Sequence, residues 1–452
     1  MNSRTSAAIL RLAPLLEHIP HAANVDTFCL AGLKRRNHLT RCRGQYNIVK
    51  STADSTASEL RPVSIGEVER LIASRATQPG SQLKVAGGRT TFAGLAVHER
   101  SAETLVLTGL NRVVDYPARD MTITVEAGLR VADLQQRLLE QGQTLPIDMA
   151  EPHRATIGGA IASNASGPGR FGYGTFRDYL IGVRAVDGRG RLFAAGGRVV
   201  KNVAGYDLCK LLVGSQGRLA AIVEVTLKLR PIPESRRVLW LPLADWNQAE
   251  AALERLVSTA TRPVAVELLT PLAAQHMTRD AKLDLPHSQP VLCLVFDGAR
   301  RETDWQAQTV THEFRPLTSS PSELDAESGQ ALWTSLTEYQ TASDDPLTFR
   351  AGLRPSGVVA VLQTASNHQI AAQAHAASGV IVGHFPDSCA NPAAVSQLLN
   401  VLQTPVVAAA GRLSILRCDP EWRPQLPTPL QLPQAEIERS IKATLDPHCL
   451  FV

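Results

Sequence analysis

Residues 156–174 read TIGGAIASNASGPGRFGYG, and the rest of the chain is organised around this stretch. Most of its residues are Gly, Ala or Ser, which leave the backbone bare enough to touch a flat ligand or a diphosphate. A flexible linker would not interleave Ile157, Ile161 and Phe171 with its glycines, because these side chains favour a core. The stretch therefore predicts a ligand-facing loop, and the alternative is a tightly packed turn that holds no ligand.

Within the stretch, residues 167–172 spell G-x-G-x-x-G, the fingerprint of Rossmann dinucleotide sites. That fingerprint needs a preceding strand, a following helix and an acidic residue roughly twenty positions later. Here another glycine turn, Tyr173-Gly174, follows, and Pro168 removes one N–H donor that a phosphate would need. We therefore expect that any nucleotide at this stretch is held by a different fold.

Length and charge set the broad class of the protein. The chain has 452 residues, of which 44% are hydrophobic, so it can bury more than one core and we expect two domains. The formal net charge is +4, but the first fifty residues carry eight Lys or Arg against Glu17 and Asp26. The rest of the chain is close to neutral, so its charge gives no argument for nucleic-acid binding.

Seven cysteines are scattered along the chain without a C-x-x-C pair. An odd, unclustered set argues against a disulfide framework, a zinc site or an iron–sulfur cluster carried by this chain alone. Isolated cysteines of this kind are mostly small core residues. No apolar run reaches the roughly eighteen residues that a membrane helix needs, so we expect no transmembrane segment.

Residues 1–58 predict a disordered extension, because they combine a basic cluster at 34–36 with no signal-peptide core. A transit-like segment and an upstream start site remain alternatives. Order is expected from Leu60, with Ser64 and Glu67 as a capping box that opens a helix. Hydrophobic periodicity then predicts strands at 83–86, 104–108 and 121–126, a helix at 131–141, a hairpin of 180–186 with 191–194, a short helix after Leu208 and a strand at 221–229.

The pattern changes near Glu234, which predicts a domain boundary. A strand at 238–242, a helix at 246–258 and a strand at 264–269 form a β-α-β run, echoed by a strand at 291–297 and a helix near 303–314. A second half of the same kind is predicted from 347 to 416, followed by a helix at 434–445. We find no fixed-period sequence repeat.

Five motifs follow one another in the first half of the chain: Lys84-Val-Ala-Gly-Gly-Arg-Thr-Thr, Ala155-Thr-Ile-Gly-Gly-Ala, Arg177-Asp178, Val200-Lys-Asn-Val-Ala-Gly-Tyr-Asp-Leu and Gly214-Ser-Gln-Gly-Arg-Leu-Ala. In this order they resemble the vanillyl-alcohol-oxidase/PCMH-type FAD-linked oxidases. The Lys-Asn-Val-Ala-Gly-Tyr-Asp run is similar to the FAD-binding E subunits of bacterial glycolate oxidases. The resemblance covers about residues 60–232, and beyond 235 only the pattern of elements is similar to the family's cap domain.

The resemblance implies an α+β fold. A PCMH-type FAD-binding domain of two α+β subdomains would span 59–233, and a ferredoxin-like α+β cap domain would span 234–430. Residues 431–452 would form a C-terminal helix and tail. The FAD would lie in an extended form between the two subdomains.

The resemblance also implies a set of cofactor-binding residues. The turn after the first strand would wrap the diphosphate, and the glycine stretch would line it from the other side. The residues themselves support the same site, since two glycine-rich bends supply many N–H donors and few competing side chains. The set is Ala86, Gly87, Gly88, Arg89, Thr90 and Thr91 in the turn; Thr156, Gly158, Gly159, Ser163 and Asn164 in the stretch; Pro146 and Asp148 near the ring system; and Ile222 near the adenine end.

Two departures from the family pattern matter for the chemistry. Many relatives attach FAD covalently through a His just after the first Gly-Gly, but Arg89 and Thr90 follow here, so we expect non-covalent FAD. Related 2-hydroxy-acid dehydrogenases carry a His-rich metal motif in the cap, whereas His384 has no second His nearby. We therefore expect no metal site, and we interpret His384 as a buried or surface histidine.

By resemblance, the chain is expected to be the FAD-binding subunit of a glycolate (2-hydroxy-acid) oxidase or dehydrogenase complex. A catalytic flavoprotein sister subunit and an iron–sulfur subunit would be its partners. Substrate oxidation would move a hydride to flavin N5 while a base takes the hydroxyl proton. Arg177, Lys201 and Tyr206 are candidates for the substrate pocket, each with a structural role equally open, and no residue is assigned as catalytic.

Two alternatives belong to other functional classes. One is a non-catalytic FAD-binding scaffold that supports a catalytic sister subunit, and the missing His-rich motif favours it. The other is a stand-alone oxidase of another alcohol. In the main hypothesis the protein is cytoplasmic, with attachment to the periphery of the inner membrane through its partners left open.

Overall fold

The computed structural model of the protein describes residues 58–90, 102–197, 207–318, 320–341, 345–419, 421–426 and 435–452. The predicted extension before Ser58 and three of the predicted site residues lie outside these ranges. Those three residues are Thr91, Lys201 and Tyr206.

The first half of the chain contains ten strands and six helices among its described residues. In chain order these are β1 (Glu59–Leu60), α1 (Ile65–Ala76), β2 (Leu83–Ala86), β3 (Glu103–Val106), β4 (Val113–Asp115), β5 (Thr122–Glu126), α2 (Val131–Leu139), β6 (Gln143–Thr144), α3 (Ile157–Ser163), α4 (Arg170–Tyr173), α5 (Phe176–Tyr179), β7 (Leu180–Val186), β8 (Leu192–Gly196), α6 (Leu208–Leu212), β9 (Ala221–Lys228) and β10 (Arg230–Pro231).

Strands β1, β3 and β2 form a parallel three-stranded sheet that packs on α1. The Ser64 side chain caps α1 by accepting from Glu67 N, which is the first hydrogen bond of the predicted capping box. The second differs, because the Glu67 carboxylate accepts from Val63 N rather than from Ser64 N. The C-terminal tail joins this unit, because Phe451 pairs in parallel with Leu83 and is buried in the same core.

A second sheet, antiparallel and five-stranded, has the order β4-β5-β9-β7-β8. Alternating apolar residues of β5 and β9 bury one face against α2 and α3, with Ile123, Leu134 and Ile157 fully buried. Hence α3, which contains the glycines of the deciding stretch, lies directly on this sheet.

In its described residues the second half contains eight strands, and its helices cover both faces of a single sheet. The elements are β11 (Ser235–Pro242), α7 (Trp246–Ser258), β12 (Ala265–Leu269), α8 (Pro271–Ala281), β13 (Val291–Gly298), α9 (Arg300–Glu313), β14 (Ser322–Leu324), α10 (Ala326–Glu338), β15 (Leu347–Gly352), α11 (Val358–Asn367), β16 (Ala371–His375), β17 (Val380–His384), α12 (Pro392–Ala408) and β18 (Arg412–Cys418). The last helix, α13 (Ala435–Leu445), packs on the core of the first half.

The eight-stranded sheet has the order β14-β11-β13-β12-β16-β17-β15-β18. Each set of four strands has the ferredoxin-like order, fourth-first-third-second, and the two sets meet where β12 pairs with β16. The predicted second half from 347 to 416 is therefore confirmed. Its sequence carries no repeat, because the two halves share strand order and not residues.

Helices α7, α9, α11 and α12 cover one face of this sheet, and α8 and α10 cover part of the other. On the second face Trp240, Met277 and Leu332 are fully buried. The rest of that face carries polar side chains, described below.

The glycine stretch differs from its prediction. It forms two short helices, α3 and α4, where we expected a loop and glycine turns, and α5 follows directly after it. α3 forms because Thr156 caps it by accepting from Gly159 N, and because Asn164 ends it in the left-handed conformation at φ 50°. The G-x-G-x-x-G run has no strand before it, as expected, but its last residues form α4 rather than a turn.

Candidate functional site

The turn after β2 touches the start of α3. A Cβ on Gly87 would lie 2.0 Å from Thr156 Oγ1, and a Cβ on Gly88 would lie 1.7 Å from the carbonyl oxygen of Arg154. Both distances are far below 3.0 Å, under which real Cβ atoms essentially never come. The fold therefore brings the two predicted bends into contact, and glycine is required at both positions.

The two bends differ in their free backbone donors. In α3, Ile157 N donates to Leu129 O at 2.9 Å and Gly158 N donates to Ala127 O at 2.7 Å. In the turn, no backbone N–H from Gly87 to Thr90 donates a hydrogen bond within the part of the chain that the structure describes. The turn therefore has N–H groups to offer an anion, whereas α3 contributes mainly a bare surface, contrary to our expectation of donors from both.

Two buried polar atoms lie at the far end of α3 without partners. Asn164 Oδ1 and Ser215 Oγ are shielded from water and form no hydrogen bond among the described residues. Their segments are adjacent, since a Cβ on Gly214 would lie 3.6 Å from Asn164 Cβ. Buried polar atoms are almost always paired, so these two indicate a missing hydrogen-bonding group beside α3.

A cavity of about 320 Å³ opens beside the contact between the turn 87–90 and the start of α3. It is lined by residues from three segments, among them Thr108, Gly128, Arg130, Arg154 and Thr156. Arg154 and Thr156 thus face both the glycine turn and the cavity. The cavity is at the small end of ligand pockets and could accept a part of a nucleotide rather than the whole.

Asp148 lies where the first half of the chain meets the second. Its Oδ2 accepts from Gly169 N at 3.1 Å, and its Oδ1 accepts from the indole N–H of Trp333 on α10, also at 3.1 Å. Removal from water raises the pKa of Asp148 from 3.8 to about 7, against the opposing effects of Arg236 and of the two hydrogen bonds. This carboxyl group therefore titrates near neutral pH.

Trp333 and Arg236, which both act on Asp148, are held in place by contacts within the cap. Arg236 on β11 makes two hydrogen bonds to Asp297 on β13, at 2.7 and 2.8 Å, and its guanidinium lies 3.9 Å from the Trp333 ring centroid. One turn further along α10, the Glu338 carboxylate accepts from Glu151 N at 2.9 and 3.1 Å. The loop that contains Asp148 and Glu151 is thus fixed against α10.

The remaining predicted cofactor residues are placed as follows. Arg89 has a positive φ of 55°, and its side chain pairs with Glu59 at 2.6 Å instead of pointing to α3. Pro146 and Ile222 are buried, and Ser163 Oγ donates to Ala160 O within α3. Ala86 ends β2, and Thr90 follows Arg89 at the limit of the described residues.

The substrate-pocket candidates remain predictions. Arg177 is exposed on α5, where Asp178 completes a capping box with Thr175. Asp207, which follows Tyr206, pairs with Lys210 at 2.6 Å. Lys201 and Tyr206 themselves lie outside the described residues.

A polar cluster on the cap sheet was missed by sequence reasoning. Glu267 on β12 is fully buried, and its carboxylate contacts His375 Nδ1 at 2.8 and 2.9 Å and accepts from Gln373 Nε2 at 2.6 Å. Arg350 on β15 lies on the same face, partly buried, with no hydrogen bond or ion pair among the described residues. Burial lowers the pKa of Arg350. The available signal was a charged or polar residue inside each otherwise apolar strand.

His384 is buried, as one of our two interpretations allowed. Its Nδ1 lies 2.6 Å from Asp345 and 3.3 Å from Thr348 Oγ1, and its Nε2 lies 2.8 Å from the carbonyl oxygen of Tyr339. Across the described residues, no group of three or more His, Cys, Asp or Glu side chains is arranged to hold a metal ion. Within the same residues, no helix is both long and apolar enough to cross a membrane.

These features fit a flavin dinucleotide. The turn 87–90 supplies unused N–H groups for a diphosphate, and the glycines of the contact leave no side chain in its way. Asn164 and Ser215 supply buried polar atoms that lack a partner. Together they provide donors and bare surface along one side of α3.

Comparison with known families agrees with this fit. Residues 57–196 match the family model described as FAD binding domain, and residues 232–390 match the model described as FAD linked oxidases, C-terminal domain. The first match contains the glycine turn and α3, and the second contains most of the cap sheet. FAD is accordingly the cofactor of this fold.

Curated relatives share about half of their length with the chain. It is 34% identical over 219 residues to D-2-hydroxyglutarate dehydrogenase of Xanthomonas citri pv. viticola, covering 48% of this chain and 45% of that protein. It is 28% identical over 278 residues to glycolate oxidase subunit GlcD of Bacillus subtilis, covering 60% and 57%. It is 36% identical over 163 residues to glycolate oxidase subunit GlcE of Escherichia coli, covering 34% and 46%.

Among solved structures, the fold is similar to that of alkyldihydroxyacetonephosphate synthase. The TM-score is 0.61 at 16% sequence identity, over 87% of this chain and 76% of that one. At this identity the likeness concerns the fold alone. It confirms the expected architecture of a PCMH-type domain followed by an α+β cap.

Proposed function

We propose that this chain, which belongs to the FAD-linked oxidases with a PCMH-type FAD-binding domain, is the FAD-binding subunit of a glycolate (2-hydroxy-acid) oxidase or dehydrogenase complex. In this complex electrons pass from the substrate through the flavin to an iron–sulfur partner. A catalytic flavoprotein sister subunit completes the assembly. The protein is cytoplasmic and reaches the inner membrane only through its partners.

The contact between the glycine turn and α3 carries this proposal. The backbone of Gly87, Gly88, Arg89 and Thr90 holds the diphosphate with N–H groups that are otherwise unused. Thr156, Gly158 and Gly159 supply the bare wall opposite, and Ser163 and Asn164 extend it toward Ser215. Because no His follows the first two glycines, the FAD is bound without a covalent link.

Asp148 and Pro146 lie on the loop that separates this wall from α10, so we assign them to the ring-system end of the flavin. Ile222 lies on β9 next to Val223, whose carbonyl oxygen accepts from Ala127 N. Ala127 in turn packs on Gly158, which supports a place for Ile222 near the nucleotide. When bound, FAD supplies a two-electron acceptor for the oxidation of the substrate.

The substrate class is supported by the relatives and by the cap. Relatives are named glycolate oxidase subunits and D-2-hydroxyglutarate dehydrogenase, all acting on hydroxy acids by name. The cap carries Arg350, a cation without a counter-ion among the described residues, as a carboxylate substrate would require.

The iron–sulfur partner is proposed because this chain offers no cluster motif of its own. The seven cysteines form no C-x-x-C pair. Of the described ones, Cys209, Cys293 and Cys389 are buried in three different cores. The electrons would therefore need a cluster on another chain.

A non-catalytic FAD-binding scaffold is the second candidate. One observation favours it: the cap histidines His375 and His384 are each bound to a single carboxylate and, among described residues, belong to no metal-binding group. A subunit of this kind would bind FAD and stabilise a sister subunit without oxidising substrate.

Anaerobic titration of the purified chain with glycolate, D-lactate and D-2-hydroxyglutarate separates the two. Bleaching of the visible flavin absorbance by one of these acids, with ethanol as an unreactive control, supports the oxidase. A flavin that stays oxidised in the isolated chain, but is reduced after a sister subunit is added, supports the scaffold. A protein that purifies without FAD and fails to bind added FAD contradicts both.

A further inference from the structure

The C-terminal segment, residues 446–452, runs alongside the strand that leads into the glycine turn. Leu83 on β2 donates its N–H to Leu450 O at 2.7 Å, and its carbonyl oxygen accepts from Val452 N at 3.1 Å. Phe451, between these two residues, forms a parallel bridge with Leu83 and is buried. β2 is thus hydrogen-bonded on both sides, by β3 and by the C-terminal segment, immediately before the glycine turn begins.

Asp446 holds the C-terminal segment in place. It is fully buried, and its carboxylate accepts from Leu450 N at 2.9 Å and from Phe451 N at 2.8 Å. Its Oδ2 also lies 2.6 Å from Nζ of Lys442, which is one turn earlier, on α13. Two N–H donors and an ammonium group compensate this carboxylate for its loss of water. Asp446 therefore joins the end of α13 to the residues that pair with β2.

Lys442 makes two further contacts. Besides pairing with Asp446, its Nζ donates to Phe451 O at 2.6 Å and to Arg218 O at 2.7 Å. An ammonium group has three donors and no acceptor, so these contacts use all of its hydrogen-bonding capacity. Because Arg218 belongs to the loop 214–218, Lys442 binds the C-terminal segment to that loop.

The loop 214–218 contacts both β2 and α3. Gln216 N donates to Ala162 O on α3 at 2.7 Å. On the side of β2, a Cβ on Gly217 would lie 3.2 Å from Val85 Cβ, so the loop packs against this strand without room for a larger residue. The loop therefore connects the strand before the glycine turn with the helix that faces the turn.

The same loop contains Ser215, whose buried hydroxyl forms no hydrogen bond among the described residues. The other buried polar atom of this kind beside α3 is Asn164 Oδ1, at the C-terminal cap of the helix. These two atoms indicate that the loop borders the place of the missing ligand. Lys442 donates to a carbonyl oxygen of this loop and to one of the C-terminal segment, so it links the supports of both sides of the cofactor site.

We infer that Lys442 and Asp446 are positioning residues for FAD, which fix the glycine turn relative to the loop 214–218 and so preform the site of the diphosphate. This inference rests on the proposed placement of the cofactor at the turn. The effect on FAD is indirect, through β2 and the loop. Without the ammonium group, Asp446 loses its counter-ion and two carbonyl oxygens lose a donor, so β2 and the loop are no longer tied together. FAD then binds more weakly, because part of its binding free energy is used to order the turn.

Lys442→Met tests this inference by binding rather than by turnover, since it removes the ammonium group and keeps an unbranched side chain. FAD is titrated into the full-length apoprotein at a temperature where circular dichroism shows both wild type and variant to be fully folded. We expect FAD to bind about 10-fold more weakly. Hydrogen exchange of the apoprotein gives a second readout, and the amides of the turn 87–90 should exchange about 10-fold faster in the variant, with those of α7 unchanged.

Asp446→Asn keeps one acceptor oxygen but loses the charge, so it should give a smaller loss of FAD affinity in the same direction. Glu224→Gln is the matched control. The Glu224 side chain is also largely buried and pairs with a single cation, Arg184 at 3.0 Å, but this pair joins β7 to β9 and does not involve the C-terminal segment. We expect the control to bind FAD within about twofold of the wild type, although it loses an ion pair of the same kind.

The outcomes separate this inference from the proposed cofactor site, which Gly88→Ala tests directly. If Gly88→Ala loses FAD but Lys442→Met binds it as tightly as the wild type, the inference is wrong and the site stands. The inference is also wrong if the turn exchanges at the wild-type rate in Lys442→Met, or if Glu224→Gln weakens FAD binding equally, since the loss would then reflect general stability. If neither Gly88→Ala nor Lys442→Met weakens FAD binding, the turn does not hold the diphosphate and both are wrong.

Discussion

The two halves of the molecule build their polar surfaces in different ways. In the first half, the surface is backbone: Gly87 and Gly88 touch Arg154 and Thr156 so closely that neither can carry a Cβ. In the second half, the surface consists of side chains from distant strands, with Glu267, His375 and Arg350 brought together by sheet register. A backbone site is broken by adding a methyl group, whereas a side-chain site is broken by removing one polar group.

The halves meet at a third type of surface. Asp148 of the first half accepts a hydrogen bond from Trp333 of the second, and Glu338 accepts from Glu151 N. Both acidic groups have raised pKa values, because each is withdrawn from water at the junction. The junction therefore couples the position of the loop that contains Asp148 and Glu151 to the cap.

The largest effect is expected from Gly88→Ala. The new Cβ would overlap the Arg154 carbonyl oxygen at 1.7 Å, so the turn must move away from α3. We expect the variant to lose most of its FAD, measured as the ratio of flavin to protein absorbance after purification. Gly66→Ala is the control, because a Cβ there meets no atom within 4 Å.

If Gly88→Ala retains FAD at the wild-type level, FAD binding does not depend on the bare backbone of the turn, and the contrast between backbone and side-chain surfaces does not hold. Circular dichroism melting distinguishes loss of cofactor from loss of fold. A variant that melts like the wild-type apoprotein but binds no FAD gives the sharpest support.

Asp148→Asn should change how stability depends on pH. The folded-state pKa of about 7 lies above the ordinary 3.8, so the native state binds more protons than the unfolded state between these values. The contribution of Asp148 to the free energy of unfolding therefore falls as pH rises from about 4 to 7 and then levels off. Removing the titrating group should flatten this fall by roughly 2 kcal/mol, measured by urea unfolding at pH 5 and pH 8.

The exposed Asp284 provides the control, and Asp284→Asn should leave the pH profile unchanged. An Asp148→Asn profile that falls as steeply as the wild type would show that Asp148 is not the titrating group. Arg236 and Asp297, the other charges acting on Asp148, would then be the next residues to substitute.

Trp333→Phe tests the cap's share of the junction. The change removes the N–H donor to Asp148 and weakens the ring's interaction with Arg236. We expect a loss of about 1 kcal/mol in unfolding free energy and a further rise of the Asp148 pKa, since a hydrogen bond to its charged form disappears. Trp305→Phe, at a side chain that is half exposed, should have little effect. Equal losses in both variants would argue against a specific junction.

The smallest effect is expected from Thr156→Val. Its hydroxyl caps α3 by accepting from Gly159 N at 3.4 Å, and loss of an N-cap costs about 1 kcal/mol. Unfolding free energy measured with urea should fall by that amount, with FAD content nearly unchanged. Thr364→Val, where the hydroxyl only donates to Ala360 O within its helix, is the control. A large loss of FAD in Thr156→Val would mean that this hydroxyl, and not the backbone, holds the cofactor.

The contrast between a backbone surface and a side-chain surface explains which features of the molecule the sequence predicted. β2 (Leu83–Ala86) and α7 (Trp246–Ser258) match their predicted bounds, because each has a clear period and a breaker at its end. The glycine contact was predictable as well, since a backbone site needs residue types that stand next to one another in the chain. The helix α3 was missed because two adjacent glycines disfavour a helix unless a cap and a sheet stabilise it.

The cap's polar cluster could not be predicted in the same way. Glu267, Arg350 and His375 are separated by 83 and 25 residues, and only the order β12-β16-β17-β15 places them together. His384 was considered against the His-rich metal motif of related dehydrogenases, and His375, whose neighbours are alanines, was not considered. Register across non-consecutive strands has no local sequence signal.

A crystal structure of the protein loaded with FAD tests the central claim most directly. The account predicts the diphosphate within hydrogen-bonding distance of the N–H groups of Gly87 to Thr90, and against the surface of Gly158 and Gly159. A diphosphate bound elsewhere, with the turn 87–90 making no contact to it, would contradict the account.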